Sequence, residues 1–184
     1  MRSVKKLVIV GLLLATSSGV YPAARRNIDF KKLRGEIRIF EGIVNTSMIQ
    51  ELGNPLAIVD DARGTYIPGT GVTFTLLISL TRSTMDTPFG RREIESYKGP
   101  RDQKIKSLRE RLLSLISEYG NTIDQLAPDE FVVVAAHMED RIVLNPADQN
   151  QVVILKVSKK DLAEYQLRKI SPQQLRSRIE IIEY

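Results

Sequence analysis

The chain of 184 residues contains no cysteine, no tryptophan and a single histidine, His137. Without cysteine the protein has no disulfide, no thiolate zinc site and no cysteine nucleophile, so packing alone must hold the fold together. Few aromatic residues and no tryptophan argue against a glycosidase, which needs a groove lined by aromatic platforms. Any serine-hydrolase triad or histidine-based proton transfer would have to use His137.

The first 20 residues predict a signal peptide. A short basic stretch, Met1 to Lys6, precedes the apolar run from Leu7 to Ala15, and small polar residues follow at 16–19. A helix that crosses a bilayer needs roughly twenty apolar residues, and the run from Leu7 to Ala15 has nine. We therefore expect no stable transmembrane span after the leader is cleaved. We predict an exported protein, periplasmic or secreted, with a flexible mature N-terminus over residues 21–32.

The positive net charge comes largely from the leader. The whole chain has 27 basic and 22 acidic residues, but three of the basic ones lie in the first six positions. The basic residues between Arg91 and Lys106 are interrupted by Glu93, Glu95 and Asp102, and no aromatic ladder accompanies them. Nucleic-acid sites favour an uninterrupted basic field with stacking rings, so we predict no nucleic-acid partner.

Hydrophobic periodicity predicts a helix followed by a hairpin in the first half of the mature chain. Apolar residues recur at helical spacing, and Gly53-Asn54-Pro55 ends the run. The helical positions are Leu33, Ile37, Phe40, Val44 and Met48. A short strand is expected from Leu56 to Asp60, and Pro68-Gly69 fits the centre of a type II turn. Alternating apolar residues from Val72 to Leu80 then predict a long strand with one buried face.

The second half predicts a loop, a helix, two strands and two short helices. Residues 82–101 are polar and punctuated by proline and glycine, which indicates an exposed loop. A helix follows from Ile105 to Tyr119, with Gly120 expected in the left-handed conformation that ends it. Phe131 to Ala136 and Gln151 to Val157 predict neighbouring strands. Helix-start patterns follow at Ser158 and Ser171, and residues 179–184 form a last strand or a docked tail.

This order of elements predicts one α+β domain over residues 33–184. We expect two layers, a mainly antiparallel sheet with helices on one face. The acidic pairs Asp60-Asp61, Asp129-Glu130 and Glu139-Asp140 fall at predicted strand ends, where they are typical of turns and solubilising positions.

His137 is the centre of the one candidate catalytic group. On an extended strand His137 and Glu139 point to the same side, with Asp140 just beyond, which suggests a metal-dependent or acid-base hydrolase. A metal would need further donors, for which Asp60 and Asp61 are the suggestive candidates. A lone histidine at a strand end is more often structural, so we predict no metal and no cofactor and favour a protein that is not an enzyme.

Several segments resemble a group of uncharacterised exported bacterial proteins. They are the leader, Tyr66 to Phe74, the helix end Ile116 to Gly120, and the strand Glu130 to Val134. The resemblance implies a bacterial envelope setting and supplies no activity or catalytic residue. We therefore predict a non-enzymatic binding or assembly module that contacts an envelope protein or a second copy of itself. The candidate contact residues are Tyr66, Pro68, Gly69, Arg91 and Arg92, on the sheet edge near Tyr66 to Thr75 or on the loop at 82–101.

Overall fold

A computed structural model of the chain describes residues 27–52, 58–80, 84–87, 90–93, 101–139 and 150–184. Within these ranges the elements are α1 (Phe30–Leu52), β1 (Ile58–Ile67), β2 (Gly71–Ile78), β3 (Thr84–Thr87), β4 (Gly90–Glu93), α2 (Arg101–Tyr119), a 3₁₀ helix (Gly120–Thr122), β5 (Phe131–Glu139), β6 (Asn150–Ser158), α3 (Lys159–Gln166), α4 (Pro172–Arg178) and β7 (Glu180–Glu183). The predicted signal peptide and the helix stop at Gly53-Asn54-Pro55 lie outside the described residues.

The main sheet has five strands in the order β1-β2-β5-β6-β7. Three of its four strand pairs are antiparallel, and β2 with β5 is parallel. A parallel pair needs a crossover connection, and α2 lies in the connection between β2 and β5. The sheet is mainly antiparallel and helices pack on one face, so the predicted two-layer α+β fold is confirmed.

One hydrophobic core joins the helices to the sheet. It extends along the chain from Leu33 in α1 to Ile179 before β7. Every apolar position that predicted α1 is buried: Leu33, Ile37, Phe40, Val44 and Met48. The alternate residues of β2 face the same core, and the ring centroids of Phe40 and Phe74 lie 4.5 Å apart. The alternation in the sequence therefore identified the buried face of β2 correctly.

Helix α1 begins three residues earlier than the periodicity predicts. The side chain of Asp29 accepts hydrogen bonds from the backbone N–H groups of Lys31 and Lys32, at 2.9 and 3.0 Å. These bonds satisfy donors that a helix start leaves open, so Asp29 is the N-cap. Residues 30–32, predicted as the end of the flexible N-terminus, are consequently helical.

The predicted turn between β1 and β2 is confirmed. Gly69 has φ of 77°, and the N–H of Thr70 donates to the carbonyl of Ile67 over 3.0 Å. Gly71 follows with φ of 119°, and an added Cβ there would stand 1.9 Å from the backbone oxygen of Phe131. Glycine at 71 is required because β5 approaches the backbone of β2 too closely for any side chain.

Two local predictions are wrong in detail. Gly120 begins the 3₁₀ helix, and its φ is not positive. An added Cβ on Gly120 would lie 3.0 Å from Leu162, so this glycine allows α3 to pack closely.

The predicted loop at 82–101 contains the hairpin of β3 and β4, whose strands pair from Thr84–Glu93 to Thr87–Gly90.

The two helix starts near the carboxyl end are confirmed. Ser158 accepts a hydrogen bond from the N–H of Asp161 and caps α3. Ser171 and Gln174 form a reciprocal capping box at α4, with Pro172 in the first turn. Helix α3 ends at Gln166, and Arg168, two residues further on, is a non-glycine residue with φ of 57°. The N–H of Lys169 donates to the carbonyl of Glu164, so this end has the Schellman arrangement that usually contains glycine.

Candidate functional site

His137 lies on β5, paired with Leu77 of β2 and Val152 of β6. Side chains alternate along a strand, so His137 shares a face of the sheet with Ala135. Ala135 and Val152 are 8% and 7% exposed, yet neither belongs to the core cluster. This arrangement places His137 on the sheet face opposite the helices, which we call the second face.

The second face is mainly apolar around His137. The strand register puts the following residues on it: Leu77, Val133, Ala135, Val152, Ile154 and Ile182. The neighbours of His137 on the two adjoining strands, Leu77 and Val152, have no group that ligates a metal or transfers a proton. The geometry of the described strands therefore does not surround His137 with catalytic partners.

The other members of the predicted catalytic group are not brought to His137 by any described contact. Asp140 lies outside the described residues, and so does the side chain of Glu139. Asp60 and Asp61 are exposed on β1, and Asp60 pairs with Leu77, one strand further from His137. Within the described ranges no group of three or more histidine and acidic side chains is placed to hold a metal ion. The hydrolase interpretation stays a prediction.

Tyr66 and Gly69 contact a buried carboxyl group. The hydroxyl of Tyr66 donates to Oε1 of Glu130 over 2.8 Å, and the N–H of Gly69 donates to the same oxygen over 3.1 Å. Oε2 of Glu130 accepts the N–H of Ala127 at 2.7 Å. Glu130 is 5% exposed, so its predicted role as a solubilising turn residue is wrong. It joins the β1–β2 turn to the loop before β5.

This network gives Tyr66 and Gly69 an internal structural role, while Pro68 is exposed in the turn between them. Arg91 and Arg92 belong to β4 by their backbone, and their side chains lie outside the described part of the chain. The expected sheet edge from Tyr66 to Thr75 is wrong for β2, which lies between β1 and β5. Contact of these residues with a partner stays a prediction.

The edge formed by β1 is covered by side chains of α1. The N–H of Ala62 donates to Oδ1 of Asn45 over 2.8 Å, and the N–H of Gly64 donates to Oε1 of Glu41 over 2.7 Å. Strands at a sheet edge are templates for further pairing unless a helix or loop blocks them. Helix α1 therefore satisfies donors that β1 would otherwise offer to another strand.

The edge formed by β7 differs from the β1 edge. All four residues of β7 are exposed, and β6 is its one neighbour in the sheet. Ile181 and Ile182 are each 39% exposed, and Tyr184 is 69% exposed. Within the described ranges, β7 is thus a sheet edge that carries apolar side chains and is not covered by a helix.

The register shows which backbone groups of β7 point outward. Val152 and Tyr184 exchange two hydrogen bonds, at 2.7 and 3.2 Å. Hydrogen-bonded and non-hydrogen-bonded pairs alternate in an antiparallel ladder, so Ile182 bonds to β6. The N–H and C=O groups of Ile181 and Glu183 consequently point away from β6, toward the open side of the strand.

Charged side chains fix β7 against its neighbours. Glu183 accepts a hydrogen bond from Arg109 of α2 over 2.9 Å, and Glu180 pairs with Lys156 of β6 over 3.0 Å. Glu110, the neighbour of Arg109 in α2, accepts a hydrogen bond from Arg176 of α4. This bond lowers the pKa of Glu110 below its ordinary value, and its effect exceeds the opposing effect of burial. The edge strand is therefore held in place by ion pairs to a helix and to a strand.

Two surface depressions lie near α4. One, of about 430 Å³, separates α2 from α4, and the other, of about 590 Å³, lies at the turn from α3 to α4. His137 lines neither of them.

No helix within the described ranges is both long enough and apolar enough to cross a bilayer. Comparison with family models, with curated proteins and with solved structures found no match for this chain.

Proposed function

We propose that this protein is a non-enzymatic binding module of the bacterial cell envelope, which takes up an extended segment of a partner protein along β7. The observation that carries the proposal is the contrast between the two sheet edges. Helix α1 covers β1, whereas β7 presents outward backbone groups at Ile181 and Glu183 beside exposed apolar side chains. Addition of a strand to an open edge gains main-chain hydrogen bonds and buries alternate side chains.

A partner strand fits this edge better than a second copy of β7. In an antiparallel pair related by a two-fold axis at Ile182, the outward groups of Ile181 in one copy would pair with those of Glu183 in the other, and the two Glu183 side chains would be diagonal neighbours on one face. Like charges at neighbouring cross-strand positions repel and weaken a strand pair. An extended segment with apolar residues at alternate positions would instead contact Ile182 and Tyr184 on the second face.

The export part of the proposal depends on the leader. Its basic start, apolar run and small residues up to Gly19 have the order of a secretory signal, and a cysteine-free domain folds in an oxidising or a reducing compartment alike. Fractionation of the native cell tests it. Recovery of the intact chain, leader included, from the cytosol would contradict export while leaving the binding edge to be tested by itself.

Site-specific photocrosslinking tests the binding edge. Tyr184 is replaced by a photoreactive phenylalanine analogue, which keeps the aromatic ring, and the chain is irradiated in its native cell. We expect a crosslinked adduct that disappears in Ile181→Pro, since proline at this position removes an outward N–H and leaves the bonds to β6 intact. Ile181→Thr keeps that N–H and should keep the adduct.

The same photoreactive residue at Leu167, which is 66% exposed at the end of α3, is the matched control for surface exposure. Equal adducts from both positions, or an adduct that survives Ile181→Pro, would contradict strand addition at β7. An adduct with the mass of two copies, together with a dimer in light scattering, would replace the partner segment by self-association.

A further inference from the structure

The amino-terminal half of α1 carries a cluster of basic side chains on its solvent face. Lys31, Arg34 and Arg38 are all exposed and follow the spacing i, i+3, i+7, which places them along one side of the helix. Leu33, Ile37 and Phe40 are buried on the opposite side. We call Lys31, Arg34 and Arg38 the basic face of α1.

Internal ion pairs do not account for the basic face. Lys32, beside it, lies 3.5 Å from Glu36 and 3.7 Å from Asp124. Within the described ranges, none of the ion pairs involves Lys31, Arg34 or Arg38. Their charges are therefore directed to solvent and not to the fold.

Of the three basic residues, Lys31 also opposes the helix dipole, because it lies in the first turn of α1. The amino terminus of a helix is its positive end, where acidic residues are favoured and basic ones are unfavourable. The first turn of α1 contains no acidic residue, and Lys31 and Lys32 stand in it. Lys32 pairs with Glu36 and Asp124, but Lys31 has no such ion pair among the described residues to offset its position, and binding to an external anionic surface would explain its presence.

Apolar side chains flank the basic face. Phe30 is 65% exposed and Ile39 is 62% exposed, on either side of the three cations. A helix with basic residues and a few large apolar residues on its outer side is suited to the interface of a bilayer that contains anionic lipid. Gly35 and Gly42 lie on the same outer side, with no atom within 4 Å of an added Cβ, so the backbone can approach that interface closely.

The sequence before α1 brings a membrane within reach. The apolar run of the leader ends at Ala15, and residues 16–29 connect it to the helix. A connection of this length extends to at most about 50 Å, so a leader inserted in a bilayer keeps α1 near the bilayer surface until the leader is cleaved. We infer that the basic face of α1 docks the protein on an anionic lipid surface. This inference is independent of the binding proposed for β7.

Vesicle flotation with the full chain tests the docking. Vesicles of phosphatidylcholine with and without about one third phosphatidylglycerol separate binding through the leader from binding to anionic lipid. The test variant is Lys31→Gln/Arg34→Gln/Arg38→Gln, which keeps good helix formers. We expect it to lose on the order of 100-fold in affinity for the anionic vesicles, since each of the three basic residues near such a surface contributes about fivefold.

The matched control is Lys106→Gln/Lys160→Gln/Lys169→Gln, which removes the same charge from exposed positions outside α1. We expect this control, and the charge-conserving Arg34→Lys/Arg38→Lys, to bind anionic vesicles like the unchanged chain. Raised salt should weaken the binding of every variant to the anionic vesicles. Far-UV circular dichroism confirms that each variant is folded.

Three results would overturn the inference. Equal losses in the two triple variants would show that net charge alone matters. No loss in the α1 variant would assign the anionic-lipid binding to the leader. Unchanged vesicle binding, together with loss of binding to a short DNA duplex in the α1 variant, would assign the basic face to nucleic acid.

Discussion

Glu130 shows how one residue can determine the geometry of the β1–β2 turn. Its carboxyl group accepts hydrogen bonds from Tyr66, Gly69 and Ala127 while the side chain is almost fully buried. A buried polar group is tolerated because its partners replace water, and removing the acceptor leaves donors unsatisfied.

We expect Glu130→Gln to lower the free energy of unfolding by about 1–3 kcal/mol, because the amide NH₂ of glutamine replaces an acceptor by a donor. Urea denaturation at neutral pH measures the change. Asp129→Asn, at the exposed neighbouring position, should change the stability by less than about 0.5 kcal/mol. Equal effects of the two substitutions would contradict the anchoring role of Glu130.

Between secondary-structure elements, Arg178 connects α4 to α3. Its guanidinium contacts Asp161 at 2.7 Å and Glu164 at 2.8 Å. Burial acts to raise the pKa of Asp161, but hydrogen bonds from Ser158 and Arg178 and the charge of Arg178 outweigh it, so this pKa lies below its ordinary value. Asp161 also forms part of the cap of α3.

A lowered folded-state pKa stabilises the protein above the pKa of the unfolded chain, about 3.9 for aspartate, and this stabilisation is lost as the pH falls through the folded value. We therefore expect Arg178→Gln to be slightly less stable than the unchanged chain at pH 7. Urea denaturation over a pH series should show this difference narrowing below about pH 4. Lys169→Gln is the control, and a difference independent of pH would contradict the role of Asp161.

Local elements were more predictable from the sequence than their pairings. The turn at Pro68-Gly69 and the caps at Ser158 and Ser171 were correctly predicted, because each depends on a few neighbouring residues. Gly120 was wrongly assigned, because its role is contact with Leu162, some forty residues away. The spacing of hydrophobic residues gives no register between strands, so it did not reveal the parallel pair of β2 and β5.

The candidate sites were less predictable for a related reason. Burial of Glu130 and coverage of β1 by Asn45 and Glu41 arise from tertiary contacts, whereas the sequence shows only polar residues at strand ends or on a helix. The basic residues at 31, 34 and 38 were not predicted as a group, because residue 31 was assigned to the flexible N-terminus and the helix was expected to begin at Leu33. Their significance required the knowledge that no internal partner uses them.

The whole molecule is organised around one core that includes residues from both ends of the described chain. Phe40 in α1 is fully buried against Phe74 in β2, and Leu175 of α4 belongs to the same cluster. A single continuous core usually unfolds in one cooperative step.

We expect far-UV circular dichroism and tyrosine fluorescence to report the same urea midpoint, with and without reductant because the chain has no cysteine. Phe40→Ala should lower the stability by about 3–5 kcal/mol and shift both midpoints together. Ile39→Ala, the exposed neighbour, serves as the control and should move them little. Separate midpoints for the two signals would contradict a single cooperative unit.

The asymmetry of the sheet edges limits how far assembly can proceed. A subunit that pairs through both edges can template the next one indefinitely, which is how fibrils grow. Side chains of α1 occupy the outward N–H groups of Ala62 and Gly64 on β1, so a strand added at β7 would not be followed by a second one at that part of β1. Addition at β7 would then stop after one step.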